Sequence, residues 1–146
     1  NSKMVELLIK HGIEPNVVIS EESLLWDLRF NDDEHPENNI GRLESAELLL
    51  KNGVSPLIEA DGDTLFDEVC FAVFNDATGE YYEYLRRFFT LLIIYGGTTN
   101  YCSPRILIPF DFNNTEKYEF YIQQHENSDG LYGIIVDEHD NLVAIV

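Results

Sequence analysis

The residues of this chain that could carry out chemistry do not form the patterns of a catalytic or metal site. The four histidines lie far apart, and none belongs to an HExxH motif or pairs with a cysteine at metal-ligand spacing. The turn at residues 137–140 could bind a cation, but hairpin turns are commonly polar and solvated, so a structural turn is favoured. Asp61, Asp63 and Asp67 are closely spaced, yet the pattern lacks the final glutamate of an EF-hand. We therefore expect no enzyme activity, no metal and no cofactor.

The cysteine content points to a reducing compartment. Cys70 and Cys102 are the two cysteines, and they are not closely spaced. Cys70 lies in a predicted helix without a basic neighbour in sequence that would activate its thiol, so we interpret it as a core residue. Such cysteine usage does not indicate a disulfide framework. No apolar run approaches the about 20 residues of a membrane span, and we expect a cytoplasmic protein.

The net charge excludes some classes of partner. The chain has 27 acidic and 9 basic side chains, for a formal net charge of −18. Nucleic-acid binding needs lysine and arginine to displace counterions, so we expect no nucleic-acid partner and no membrane partner. Residues 14–38 and residues 111–140 each carry eight acids and one base. This acidity favours a partner that is another protein, and it would suit a basic one.

One helical segment recurs along the chain, and the predicted arrangement of the elements is based on it. Residues 42–56 have apolar side chains at the i, i+3, i+4 spacing and then a glycine that ends the helix. Residues 4–15 match this segment at an offset of 41 residues, and residues 90–100 form a weaker third copy. The same offset relates residues 23–25 to residues 64–66. A helix repeated at a fixed spacing is typical of a stacked array.

The remaining helices follow from apolar periodicity and from candidate capping residues, Ser20 and Thr64. Residues 31–39 are rich in acids and asparagine and contain a proline, so they are predicted to form a solvated loop. The first predicted helix has no preceding partner, and we expect native sequence upstream of residue 1. The predicted helices span residues 4–12, 23–30, 42–52, 64–75 and 80–95.

The repeated segment resembles the ankyrin-repeat family. The sequence LESAELLLKNG at residues 43–53 is similar to the second helix of such a repeat, and GIEPN at residues 12–16 to the turn that follows it. Residues 62–65 resemble the entry to the first helix, although Leu65 replaces the family's proline and Asp67 stands at its histidine position. The offset of 41 residues exceeds the family's repeat of about 33 residues, with the surplus in a loop that tolerates insertions.

The resemblance implies a mainly α fold of ankyrin-like stacked helix pairs in residues 1–100, with an incomplete first repeat. Another helix-pair solenoid is the alternative. Residues 101–146 change to an alternating apolar pattern, with strands predicted at residues 117–124, 131–136 and 142–146. We expect a small antiparallel β meander that caps the open end of the array, within the same compact domain.

Similarity to ankyrin repeats implies a non-catalytic protein–protein interaction module. Trp26 is either a core residue, which is favoured, or an exposed anchor, since tryptophan is enriched in binding hot spots. The acidity favours a narrower alternative, an immunity-type inhibitor of a basic toxin or nuclease. A third hypothesis, an enzyme within the β meander, has no nucleophile–base pair to support it. The implied partner-binding residues are Glu21, Glu22, Trp26, Arg29, Glu59, Asp61, Asp67 and Glu68.

Overall fold

The computed structural model describes residues 20–99, 103–124 and 130–146. Short 3₁₀ turns occupy Pro36–Asn38 and Thr115–Lys117. The helices are α1 (Glu21–Asp27), α2 (Asn39–Lys51), α3 (Leu65–Phe71) and α4 (Gly79–Ile94), and a π-helical segment, Ala72–Asp76, continues α3. The strands are β1 (Glu59–Ala60), β2 (Asp63–Thr64), β3 (Arg105–Ile106), β4 (Glu119–Gln124), β5 (Leu131–Val136) and β6 (Leu142–Ile145).

The described residues form a mixed α and β fold, so the prediction of a mainly α array is wrong. They are 45% helical and 18% strand, with four helices, a four-stranded antiparallel sheet and a two-stranded sheet. No solenoid or repeat stacking occurs among them, which overturns both the ankyrin resemblance and the helix-pair alternative. The first copy of the recurring segment, residues 4–15, lies outside the described residues.

The position of α4 explains why the recurrence did not produce an array. The third copy starts at residue 90, in the second half of α4, so it is not a separate unit. Nine of the 16 residues of α4 are buried, and the helix contacts α2, α3 and β4. A helix covered on several sides is a central core element and cannot be the exposed last layer of a stack. The ends of α2 and α4 therefore resemble each other because both helices are followed by a glycine in the left-handed conformation. Gly53 has φ 96° and Gly96 has φ 94°.

Two helices, α1 and α3, begin where the sequence provides a capping side chain. The side chain of Ser20 accepts a hydrogen bond from the backbone N–H of Ser23 at 3.1 Å, before α1. Thr64 accepts one from the N–H of Asp67, also at 3.1 Å, before α3. These bonds satisfy backbone donors that a helix start leaves free. The predicted cap Thr64 is thereby confirmed.

The four-stranded sheet has the strand order β3-β6-β5-β4 and is antiparallel throughout. The strands predicted at residues 117–124, 131–136 and 142–146 correspond to β4, β5 and β6. The short strands β1, β2 and β3 were not predicted. The sheet packs on α4 rather than on the end of an array, because β4 contacts this helix directly.

An aromatic cluster joins the helices to the sheet. The rings of Phe89 in α4 and Phe120 in β4 are 5.1 Å apart and nearly perpendicular. Phe66 in α3 lies 5.1 Å from Phe89, and Phe74 lies 6.2 Å from Phe120. Phe66, Phe89 and Phe120 are completely buried. One hydrophobic core thus includes side chains from α3, α4 and the sheet.

Candidate functional site

A groove of about 360 Å³ lies between α2 and α4, beside the turn Thr115–Lys117 and the start of β4. Its lining is mainly apolar, and its rim is acidic. The apolar lining residues are Ile40, Leu43, Leu91 and Tyr118, and the acidic ones are Glu44, Glu47, Glu116 and Glu119.

Two more open depressions adjoin this groove and share residues with it. One shares Glu44, Glu47 and Glu116, and the other shares Glu116 and Glu119. Together they extend the acidic surface to the turn between β5 and β6. We refer to this continuous surface as the acidic face, defined by Glu44, Glu47, Glu116, Glu119, Asp137, Glu138 and Asp140.

The acidic face contains fewer basic than acidic side chains. The bases along it are Lys51, Arg87 and Lys117. Lys51 pairs with Glu47, with Nζ 2.7 Å from Oε1, and Lys117 pairs with Asp111 at 3.4 Å. The carboxylates of the face therefore outnumber the cations that could neutralise them.

Glu47 fixes the shape of the groove by joining two distant parts of the chain. The hydroxyl of Thr115 donates a hydrogen bond to its Oε2 at 2.5 Å, while Lys51 donates to the other oxygen from the next turn of α2. The hydrogen bond with Glu47 raises the pKa of Lys51. Thr115 is 68 residues away in sequence, so this contact ties the turn Thr115–Lys117 to α2.

Hydrogen bonds also hold the carboxylates at the other end of the acidic face. The hydroxyl of Tyr121 donates to the carboxylate of Glu119, which raises the pKa of Tyr121. Asp137 accepts hydrogen bonds from the backbone N–H groups of Asn141 and His139, both at 2.9 Å. The bond from Asn141 is the main cause of the lowered pKa of Asp137. Asp137 thus stays ionised and organises the turn.

Three of the residues predicted to bind a partner meet in a separate depression. We call it the α1 cleft; it has a volume of about 210 Å³ and lies between α1 and β1. Glu22, Trp26 and Glu59 line it. Trp26 is half-buried and packs against the hydrophobic core, and its role as a binding anchor stays a prediction.

The other predicted residues lie outside the lining of the α1 cleft. The guanidinium of Arg29 lies 5.0 Å from the ring centre of Trp26 and 4.1 Å from that of Phe30, and it donates to the Trp26 carbonyl oxygen at 2.7 Å. These contacts hold Arg29, which follows α1, against the end of that helix. Asp67 and Glu68 lie in the first turn of α3, where negative charge stabilises the helix dipole. Glu21 occupies the first turn of α1 in the same way, and Asp61 lies in the turn between β1 and β2 with φ 54°.

The described part of the chain does not bring the acidic residues together as metal ligands. No group of three or more histidine, cysteine, aspartate or glutamate side chains in it is close enough to hold a metal ion. His35 and His139 are exposed and lie beside Glu37 at 3.7 Å and Glu138 at 3.5 Å. Carboxylates that are spread over a surface suit an extended cationic partner better than a single ion.

The groove residues were not predicted from the sequence, because only the buried apolar face of α2 was recognised. The buried face of α2 contains Ala46, Leu49 and Leu50. A second stripe at the same helical spacing begins at Ile40 and ends at Glu47. The apolar residues at the start of this stripe could have indicated a second face, although their exposure depends on the packing of α4 and β4.

Comparisons of the chain with protein families, with curated proteins and with solved structures each found no match. Within the described residues, no helix is both long and apolar enough to cross a bilayer.

Proposed function

We propose that the chain is a non-catalytic protein-binding module whose acidic face binds a basic protein. The observation that carries this proposal is the excess of carboxylates along one continuous surface. Within the described residues, Glu44, Glu116 and Asp140 form no ion pair with a basic side chain. Complementary charge on a partner would neutralise these groups and increase the rate of association.

The formal net charge of −18 supports the same conclusion on the scale of the whole chain. A strongly acidic protein attracts basic surfaces over distances of about 8–10 Å at physiological ionic strength. The two cysteines are not spaced as in a disulfide framework, which fits a reducing compartment. We include a cytoplasmic location in this proposal.

A binding titration with a peptide of alternating lysine and serine tests the proposal. We expect binding that weakens as salt is added, because exposed charges are screened. A triple variant, Glu44→Gln, Glu116→Gln and Asp140→Asn, should bind at least about tenfold more weakly, a loss of about 1.4 kcal/mol.

The matched control is the triple variant Glu21→Gln, Glu22→Gln and Glu59→Gln. It removes the same charge from the surface around the α1 cleft and should bind like the wild-type protein. Loss of binding in the control instead would locate the site at the residues predicted from the sequence. Equal losses in both variants, or no binding by the wild-type protein, would contradict the acidic face as a binding site.

Inhibition of a basic toxin or nuclease is a second candidate, favoured by the spread of the carboxylates along one face. The substrate site of a nuclease is basic because it binds phosphates, so such a face could cover it. In that case the wild-type protein should abolish cleavage by its cognate nuclease at a one-to-one ratio. The Glu44, Glu116 and Asp140 triple variant should fail to do so, while the control variant should inhibit fully.

A further inference from the structure

The groove between α2 and α4 combines an apolar floor with an acidic rim. Ile40 at its edge is 67% exposed, the largest exposure of any large apolar side chain in the described residues. Leu43 and Tyr118 continue the apolar surface into the groove. A single exposed isoleucine is unremarkable, but apolar side chains that line a concave site are typical of binding pockets.

The rim supplies charge at defined positions around this floor. Glu44 and Glu47 lie on α2, and Glu116 and Glu119 lie on the opposite wall. Arg87 is the basic residue of the lining. Because Thr115 and Lys51 hold Glu47, one carboxylate of the rim is already ordered before a ligand binds. An ordered site loses less conformational entropy on binding than a disordered one.

We propose that this groove binds a segment of a partner protein that inserts an apolar side chain between α2 and α4, flanked by lysine or arginine residues. The inserted side chain would contact Ile40 and Leu43, while the flanking cations would pair with Glu44 and Glu116. This inference rests on the proposed function and specifies the chemistry that the partner needs.

The charge of the groove decides between this occupant and a second copy of the chain. Two copies that met through their grooves would place the carboxylates of both rims face to face, which is repulsive. A basic segment instead neutralises the rim as its apolar side chain leaves water. The volume of about 360 Å³ is at the lower end of binding-site sizes and fits side chains of one short segment.

Three peptides of equal length distinguish the contributions of charge and apolar contact. One alternates lysine and leucine, the second alternates lysine and serine, and the third alternates glutamate and leucine. The lysine–leucine peptide should bind at least about tenfold more tightly than the lysine–serine peptide, and the glutamate–leucine peptide should not bind.

Protein variants then locate the apolar contact. Ile40→Asn should reduce the affinity for the lysine–leucine peptide about tenfold and leave that for the lysine–serine peptide unchanged. The matched control is Phe71→Asn, which changes a residue that is 60% exposed at the end of α3, outside the groove lining. Phe71→Asn should bind both peptides like the wild-type protein, and melting curves should show that both variants are folded.

The outcomes distinguish the proposal for the groove from the broader proposal that the acidic face binds basic proteins. Equal binding of the two lysine peptides, with no effect of Ile40→Asn, would overturn the groove and leave the acidic face as a site for basic proteins. Failure of both lysine peptides to bind would overturn both proposals. A wild-type protein that sediments as a dimer, with Ile40→Asn a monomer, would show that a second copy occupies the groove and would also overturn the inference.

Discussion

Substitution of Gly133 by alanine should destabilise the protein through a steric conflict with Phe120. A Cβ atom at Gly133 in β5 would lie 2.2 Å from Cε2 and 2.3 Å from Cζ of the Phe120 ring. Carbon atoms that are not bonded normally lie about 3.5–4.0 Å apart, so the ring would have to move by more than about 1 Å. The ring is fully buried and packs against Phe89 at 5.1 Å and Phe74 at 6.2 Å. Overpacking of this kind costs about 1–3 kcal/mol.

Urea denaturation followed by circular dichroism measures this loss of stability. Leu131→Val is the matched control, because Leu131 lies in the same strand and is 49% exposed; it should change the free energy of unfolding by less than about 0.5 kcal/mol. In a Phe120→Leu background, Gly133→Ala should cost less than it does in the wild-type protein, because leucine leaves room for the methyl group. The same cost in both backgrounds, or a wild-type midpoint for Gly133→Ala, would refute the steric argument.

Two further substitutions test the packing of the helices. Tyr84→Phe removes a buried hydroxyl that donates to the Leu28 carbonyl oxygen at 2.5 Å, and should cost about 1–3 kcal/mol in urea denaturation. Burial raises the pKa of Tyr84, so the wild-type protein should lose more stability than Tyr84→Phe above about pH 10, where the unfolded tyrosine ionises first; equal losses for the two proteins would contradict this. Leu49→Ala opens a cavity at a completely buried position and should cost about 2–5 kcal/mol, whereas the exposed Lys51→Ala should cost less than about 0.5 kcal/mol. Equal melting temperatures for the wild-type protein and Leu49→Ala would contradict the core assignment.

Local structure could be predicted from the sequence where one residue type has a clear conformational effect. Thr64 caps α3, as predicted, because its side chain satisfies a free backbone donor. The strand predicted at residues 131–136 matches β5, where β-branched residues follow one another. Gly53 ends α2 in the left-handed conformation that glycine adopts most easily. Each of these features depends on a few neighbouring residues.

The arrangement of the elements could not be predicted in this way. Similar apolar spacing in α2 and α4 indicates two amphipathic helices, but it does not specify what covers them. The fully buried Phe89 packs against Phe120 from the sheet, a contact between residues far apart in sequence. The groove depends on the same long-range packing, since Tyr118 and Glu116 reach α2 only after the chain has returned from the end of α4.

The contact between Phe89 and Phe120 also affects the order of events during synthesis. At about 5–20 residues per second, the roughly thirty residues between them take about 2–6 s to be made. During that time α4 can form, because helices form within about a microsecond, but the face of Phe89 that β4 later covers has no partner. The nascent chain therefore passes through an interval with an uncovered aromatic surface, in which chaperone binding or early aggregation competes with completion of the sheet.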